Sequence, residues 1–357
     1  MRTQPAAPHR LEPVLRLRGP ADVLAAIPYL LGFHPADSLV LVGLRDGDLV
    51  VTVRLDLAEL ADPGVLPDAI AAMTRGGATS LVAAIYAAPS SAAGPRGGAG
   101  APGVANTDLP WSGAACAVAA TAAAAGGAVL DILLVGEGRW WSYSCTSTQC
   151  CPAAGSPLPP SVSEVAATAT YAGLVALPDR AALAAVLEPY AAEQRAALLP
   201  MLTEADDDAI RAALEGGATR HDRSLKRALF AAARKADDDV AGALGPRADA
   251  EVACLGAALR QIALRDSLWM AADDGRIDGR RLWQELARRL PAPYDAAPLF
   301  LFGWCCWRDG NGALAGIAAQ RAIDSDPGYS AADLLLAALA HGVDPRRLPK
   351  LRLPRSA

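Results

Sequence analysis

The spacing of apolar residues divides the chain into a part with strands and a part with helices only. Between residues 19 and 144, short apolar runs alternate with helical patterns. Residues 38–44, 81–86 and 129–135 are apolar on both faces, which is typical of buried strands. From residue 161 onward apolar positions recur at helical spacing, without a convincing strand pattern. The pattern predicts an α+β protein: an N-terminal mixed β-sheet with flanking helices, then an all-helical C-terminal half.

The N-terminal pattern is specific enough to predict individual elements. A helix over 20–31 is closed by Gly32, and Asp46-Gly47 has the residues of a hairpin turn. The strand 81–86 should lie parallel and buried, since it follows a helical crossover and is apolar on both faces. We predict about five strands with helices packed on them; the predicted strands are 38–44, 49–57, 81–86, 129–135 and 139–143, and the predicted helices are 20–31, 67–75 and 111–125.

In the C-terminal half, Ser161 with Glu164 has the pattern of a capping box, which predicts a helix through Tyr171. The segment 299–307 is apolar all round, as expected of a buried central helix. Small residues at close-packing positions between the turn 310–312 and Asp326-Pro327 resemble one tetratricopeptide hairpin. No second copy of this pattern occurs upstream, so an array of repeats is not predicted.

Composition shifts predict the domain boundaries. We expect a disordered arm at 1–18, an α/β domain at 19–155 with a flexible Gly/Pro/Ser-rich loop at 88–110, and an all-α domain at 160–345. Prolines between residues 152 and 160 mark the division. A basic tail, 346–357, should be solvated; its cations are Arg346, Arg347, Lys350, Arg352 and Arg355.

Charge and cysteine content narrow the function classes. The formal net charge of −5 offers no overall basic field for phosphate contacts, so nucleic acid is an unlikely partner. No apolar stretch is long enough to span a bilayer, and no signal peptide is recognisable. Seven cysteines, an odd number with two adjacent pairs, do not form a secreted disulfide framework. A reducing cytoplasm is the expected location.

The sharpest chemical candidate is the group Cys145, Cys150 and Cys151, which follows the last predicted strand. Thiolates are good zinc ligands, and a closed tetrahedral site needs a fourth ligand, for which His34 is a candidate. A redox pair between Cys145 and one of the other two thiols is a second reading. Buried inert thiols in a structural turn are a third, and the sequence leaves all three open.

Two further groups of residues could form a ligand site. His34, Asp37 and Ser38 bring hydrolase-type side chains together, although a helix-to-strand turn explains them more simply. Arg139, Trp140, Trp141 and Tyr143 alternate along one strand, so they could stack a ligand or pack against the helical half.

Three blocks of the sequence resemble an actinobacterial domain of unknown function. They are PADVLAAIPYLLGFHPADSLV at 20–40, the segment 138–158 with RWWSY, Cys145 and CCP, and the segment 307–329 with GNGALA and DPGY. In order, they cover roughly residues 20 to 345. The resemblance implies no catalytic residues, because the family is itself uncharacterised.

These observations favour a non-enzymatic binding or regulatory protein of the cytoplasm, for which a protein is one candidate partner. One alternative is an enzyme with a site near the Cys145–Cys151 loop and the His34–Ser38 turn. Another is a structural metal-binding module with zinc as its cofactor. An enzyme needs a polar pocket with a perturbed titratable group, whereas a binding module needs an exposed apolar or charged surface. Ligand, partner and oligomeric state do not follow from the sequence.

Overall fold

The computed structural model describes residues 17–87, 101–239 and 245–351. The predictions for the arm at 1–16, for 88–100 of the loop and for 352–357 of the tail lie outside these residues. The chain divides into two compact units, of which the first ends at Arg180 and the second begins at Ala181.

The first unit contains a mixed sheet of six strands in the order β2-β1-β3-β4-β5-β6. The parallel pair is β3 with β4, as the apolar pattern predicted, and the other neighbours are antiparallel. Asp46 and Gly47 turn between β1 and β2 with positive φ angles of 55° and 88°, as a hairpin turn requires. The strands are β1 (Ser38–Arg45), β2 (Asp48–Asp56), β3 (Ser80–Tyr86), β4 (Ala128–Gly136), β5 (Arg139–Ser142) and β6 (Ser156–Pro157).

Helices pack on the main core face of this sheet. Its main core lies on the face formed by Leu39, Ile85 and Ile132, where two of the helices, α2 and α3, supply buried apolar side chains. On the opposite face, the guanidinium of Arg54 lies 5.8 Å from the ring centroid of Phe33. The helices of this unit are α1 (Pro20–Leu31), α2 (Val65–Arg75), α3 (Ser112–Ala124) and α4 (Glu164–Tyr171).

The boundary between the units falls later than the predicted division at 155–160. Helix α4, which was expected to open the helical half, packs against α1. The backbone N–H of His34 donates to the carbonyl of Leu177 at 2.9 Å, so the chain beyond α4 is also attached to the first unit. The cap of α4 is Ser163 and not Ser161, because the Ser163 hydroxyl accepts from Ala166 N at 3.1 Å.

Part of the loop that was predicted to be flexible is held against the sheet unit. The backbone N–H groups of Ala105 and Asn106 donate to the carbonyl of Tyr143 at 2.8 and 2.9 Å. Val104 is buried. Residues 101–110 are therefore anchored, because Tyr143 supplies hydrogen-bond partners that composition alone does not reveal.

The described residues of the second unit form helices joined by turns and loops, and no strand occurs among them. The predicted central helix is α12, which is buried along most of its length, and the final hairpin consists of α13 and α14. Asn311 caps α13 by accepting from Leu314 N at 3.0 Å. In chain order the helices are α5 (Arg180–Ala185), α6 (Ala192–Ala196), α7 (Leu199–Leu214), α8 (Ala218–Asp238), α9 (Asp249–Arg260), α10 (Ile262–Asp273), α11 (Arg280–Arg289), α12 (Ala296–Arg308), α13 (Gly312–Ser325) and α14 (Ser330–Ala340).

A buried carboxylate joins three parts of this helical unit. The side chain of Asp273 is 0% exposed and accepts from Arg308 Nε at 2.8 Å and Trp304 Nε1 at 2.9 Å. It also accepts from the backbone N–H of Leu351 at 2.6 Å, and Lys350 Nζ donates to the carbonyl of Asp274. The start of the basic tail, which was expected to be solvated, is therefore attached through residues 350 and 351.

No helix in the described ranges combines the length and the apolar character that crossing a bilayer requires.

Replacing Asp273 by alanine should lower the free energy of unfolding by about 3–5 kcal/mol, because the Arg308 charge would lose its buried partner. Urea denaturation followed by tryptophan fluorescence measures this loss. The matched control is Asp207→Ala, at an exposed position of α7, which should change stability by about 0.5 kcal/mol or less. A loss below about 1 kcal/mol for Asp273→Ala would contradict a central role for this carboxylate.

Candidate functional site

Three thiols converge in the segment that joins β5 to β6. We call this segment, residues 144–155, the thiol loop. The Sγ atoms of Cys145, Cys150 and Cys151 all lie within 4.8 Å of one another, and those of Cys145 and Cys150 are 3.3 Å apart. A tight turn, in which Cys151 N donates to Ser147 O at 2.8 Å, folds the adjacent cysteines back toward Cys145. The sequence predicted the group, and the structure brings its three members together.

A half-buried carboxylate anchors the start of the thiol loop. The Ser142 hydroxyl donates to Asp131 Oδ1 at 2.7 Å and accepts from the backbone N–H groups of Ser144 and Cys145, each at 3.1 Å. Burial raises the pKa of Asp131, and hydrogen bonds from Ser142 and Ile132 N oppose the increase. Sequence reasoning missed Asp131, although a lone charge within the apolar strand β4 was a usable signal.

Side chains of β5 hold the end of the thiol loop. Arg139 Nη1 donates to the carbonyl of Gly155 at 2.8 Å, and Trp141 Nε1 donates to that of Ala153 at 3.1 Å. The Trp141 ring also packs directly on Gly155, whose positive φ of 75° suits a residue without a side chain. Arg139 and Trp141 therefore brace the thiol loop.

The remaining members of the predicted aromatic surface have different environments. Tyr143 is 0% exposed within the main sheet core, and burial raises its pKa. It therefore cannot contribute to a ligand surface, which corrects the sequence-based expectation for this residue. Trp140 is half-buried and pairs with Val135 and Ser156.

Cys150 and Cys151 differ in acidity. Cys150 is exposed, and hydrogen bonding with the side chain of Cys145, helped by that of Ser147, lowers its pKa. Burial raises the pKa of Cys151 to about 12, and its neighbours Cys145 and Cys150 add to the increase. Cys150 is thus more acidic than Cys151, and it is the exposed member of the group.

The spacing of the sulfur atoms suits a soft cation. Four thiolates around zinc at about 2.3 Å lie about 3.8 Å from one another, so the observed separations require adjustments of about 1 Å or less. Within the described residues, no fourth His, Cys, Asp or Glu belongs to the group. His34, the predicted fourth ligand, is not part of it. Since Cys150 is exposed, a fourth coordination position would face solvent.

His34 and Asp37 lie instead in a cleft of about 470 Å³ within the first unit, which we call the strand-end cleft. Tyr86 and Val135, at the carboxyl ends of the parallel strands β3 and β4, contribute to its wall. No cysteine occurs among its lining residues. Ligands of open α/β sheets bind preferentially at such strand ends, but sequence reasoning did not identify this cleft.

His34, Asp37 and Ser38 do not form a hydrolytic triad in this structure. The Ser38 side chain is 0% exposed, and its hydroxyl has no hydrogen-bond partner in the part of the chain that the structure describes. His34 and Asp37 are exposed and line the strand-end cleft. A buried hydroxyl without a base in contact is not an activated nucleophile.

Comparison with known proteins gives one match. The family model of a domain of unknown function (DUF4192) matches residues 20–346. No curated protein and no solved structure matches the chain.

Replacing Gly155 by alanine should destabilise the thiol loop. The new Cβ would lie 2.5 Å from a Trp141 ring atom and would also occupy a left-handed conformation. We expect a loss of about 2–4 kcal/mol, measured by urea denaturation, and faster reaction of the loop thiols with a thiol reagent.

The matched control is Gly138→Ala. Gly138 has almost the same φ, 74°, but open space at the Cβ position, so it should lose only the backbone term of about 1 kcal/mol. Equal losses in the two variants would contradict a bracing role for Trp141.

Proposed function

The chain belongs to the DUF4192 family, which assigns it no activity, and we propose that it is a metal-binding protein whose thiol loop holds zinc. The proposed ligands are Cys145, Cys150 and Cys151. We propose the cytoplasm as its location, since free thiols persist in a reducing compartment.

The observation that carries this proposal is the convergence of the three Sγ atoms within 4.8 Å. These thiols meet through a turn and several hydrogen bonds and not through apolar packing, and one of them is exposed. A core that needed small apolar residues would bury all three. Soft thiolate ligands select zinc over magnesium or calcium, which take oxygen ligands.

Three protein ligands leave zinc one position for an exchangeable partner. Structural zinc sites are normally closed by four protein ligands, whereas sites with three retain water or a bound molecule. The proposed site therefore belongs to a binding protein that presents its metal to solvent, in agreement with the exposure of Cys150. A solvent-accessible metal would distinguish the proposed site from a purely structural zinc site, in which four protein ligands enclose the ion.

The test is a zinc titration of protein purified without a polyhistidine tag, against a chromogenic chelator. We expect about one equivalent of tightly bound zinc, and strong weakening in Cys145→Ser, Cys150→Ser and Cys151→Ser. Cys254→Ser, at a half-buried thiol of the helical unit, is the control and should bind zinc like the parent protein. Less than about a tenth of an equivalent in the parent would contradict the proposal.

Cobalt substitution gives a second readout. Bound Co²⁺ should show intense thiolate-to-metal charge-transfer absorption, which each of the three serine variants should reduce and Cys254→Ser should not. Cobalt binding without this absorption would place the metal elsewhere.

A second candidate function is disulfide exchange, favoured by the 3.3 Å separation of Cys145 Sγ and Cys150 Sγ. The Cys150 thiolate would attack the disulfide of an oxidised partner and release one thiol. Cys145 would then displace the second thiol from the mixed disulfide, leaving a Cys145–Cys150 disulfide and a fully reduced partner.

Oxidised glutathione tests this exchange, with mass spectrometry of the product. We expect the parent to lose two hydrogen masses, Cys145→Ser to stop at the glutathione adduct, and Cys151→Ser to behave like the parent. Formation of a Cys150–Cys151 linkage, or no reaction with glutathione disulfide, would exclude the pair. Prior loading with zinc should slow the reaction if both proposals hold, because the metal occupies the attacking thiolate.

A further inference from the structure

The strand-end cleft has the position and size of a small-molecule site. It lies beyond Tyr86 and Val135, where the parallel strands β3 and β4 end, and the turn between α1 and β1 forms another part of its wall. Its volume of about 470 Å³ falls in the usual range for ligand pockets. All of its described lining residues belong to the first unit, and none of them is one of the three thiols.

Most of the cleft wall is apolar or aromatic. Leu24 and Tyr29 of α1 form one part of the wall, and Tyr86 and Val135 of the sheet form another. Burial raises the pKa of Tyr86, so its phenol is neutral across the physiological range. Such walls stabilise an apolar body by removing it from water, and the faces of tyrosine rings also attract cations.

The formal charges that line the cleft have one sign. Asp37 and Glu137 contribute carboxylates, and among the described residues that line the cleft there is no Lys or Arg. Of these lining residues, His34 has a basic side chain. A negative potential inside apolar walls favours an organic cation and disfavours an anion of the same shape.

Both carboxylates stand on constrained backbone. Asp37 has a φ of 44°, although it is not a glycine, and its carbonyl accepts from Leu57 N at 3.0 Å. Glu137 has a φ of 51° in the two-residue turn between β4 and β5, as such a hairpin turn requires. Asp37 lies outside a hairpin turn, and a left-handed conformation at such a non-glycine residue is costly and more frequent at functional sites. The turns therefore hold the two acids at the sheet edge before any ligand arrives.

We propose that the strand-end cleft binds a small apolar organic cation, an aryl- or alkylammonium compound. The ammonium group pairs with Asp37 and Glu137, and the apolar body packs against Tyr29, Tyr86 and Val135. This site is independent of the thiol loop and of its metal.

Three probes of one shape test the proposal: phenylethylammonium, phenylethanol and phenylacetate, as cation, neutral molecule and anion. Their dissociation constants are measured by saturation-transfer NMR on the full chain at physiological salt. We expect the cation to bind about tenfold more tightly than the alcohol, and the anion to bind most weakly. Cys150→Ser should leave these values unchanged, which separates this test from that of the metal.

The variants Asp37→Asn and Glu137→Gln locate the site. Each should weaken binding of phenylethylammonium about three- to tenfold and leave phenylethanol unaffected. The control is Asp46→Asn, which removes the same charge from another left-handed, exposed residue outside the cleft. Asparagine tolerates this conformation well, so both Asp→Asn variants should fold.

Two outcomes would overturn the proposal. One is equal binding of the three probes, or binding of none, in the parent chain. The other is a preference for the cation that Asp37→Asn and Glu137→Gln leave intact, or that Asp46→Asn reduces as strongly as they do.

Discussion

Parallel hydrogen bonding between β3 and β4 determines where chemistry can occur in the first unit. Two consecutive parallel strands need a connection that carries the chain back to the end of the sheet where the first strand began. Helix α3 lies in this connection. Both strands consequently end at the same edge, beside the start of β1, where the strand-end cleft opens. From that edge β5 leads the chain away along β4 to the thiol loop, and β6 brings it back beside Arg139.

The thiol loop depends on polar groups that the sheet supplies. Asp131 projects from a strand whose other members are apolar, and its carboxylate holds the Ser142 hydroxyl, which in turn binds the backbone of Cys145. Arg139 and Trp141 hold the returning end. Hydrogen bonds thus fix both ends of the thiol loop. Because the loop is short, this brings its three sulfur atoms together without a hydrophobic core around them. Arg139 and Trp141 are thereby engaged by the backbone of the thiol loop, and Tyr143 is buried in the sheet core.

Apolar periodicity was sufficient to predict elements whose burial is regular. Helix α1 has the predicted bounds, β3 lies in a parallel pair as expected, and α12 is the buried helix of the second unit. Features made by hydrogen bonds between distant segments were not predicted. Strand β6 has only two residues, one of them a proline, so it leaves no apolar pattern in the sequence. Residues 101–110 are held by the carbonyl of Tyr143, which composition does not reveal. The cysteines could be proposed as a group, but their convergence requires the turn at Ser147. The strand-end cleft combines side chains from several separate segments, and no local pattern reports such a combination.

The short spacing of the thiols in the chain has a consequence for folding. Linking Cys145 to Cys150, through a metal or a covalent bond, closes a ring of about six residues, which removes only about 2 kcal/mol of chain entropy from the unfolded state. A ring of a hundred residues would remove about 5 kcal/mol. A covalent Cys145–Cys150 bond would therefore add little to global stability, whereas a metal held only by the native loop would stabilise the fold by its own binding free energy. Either link could form and break through local opening of the segment, without unfolding of the protein.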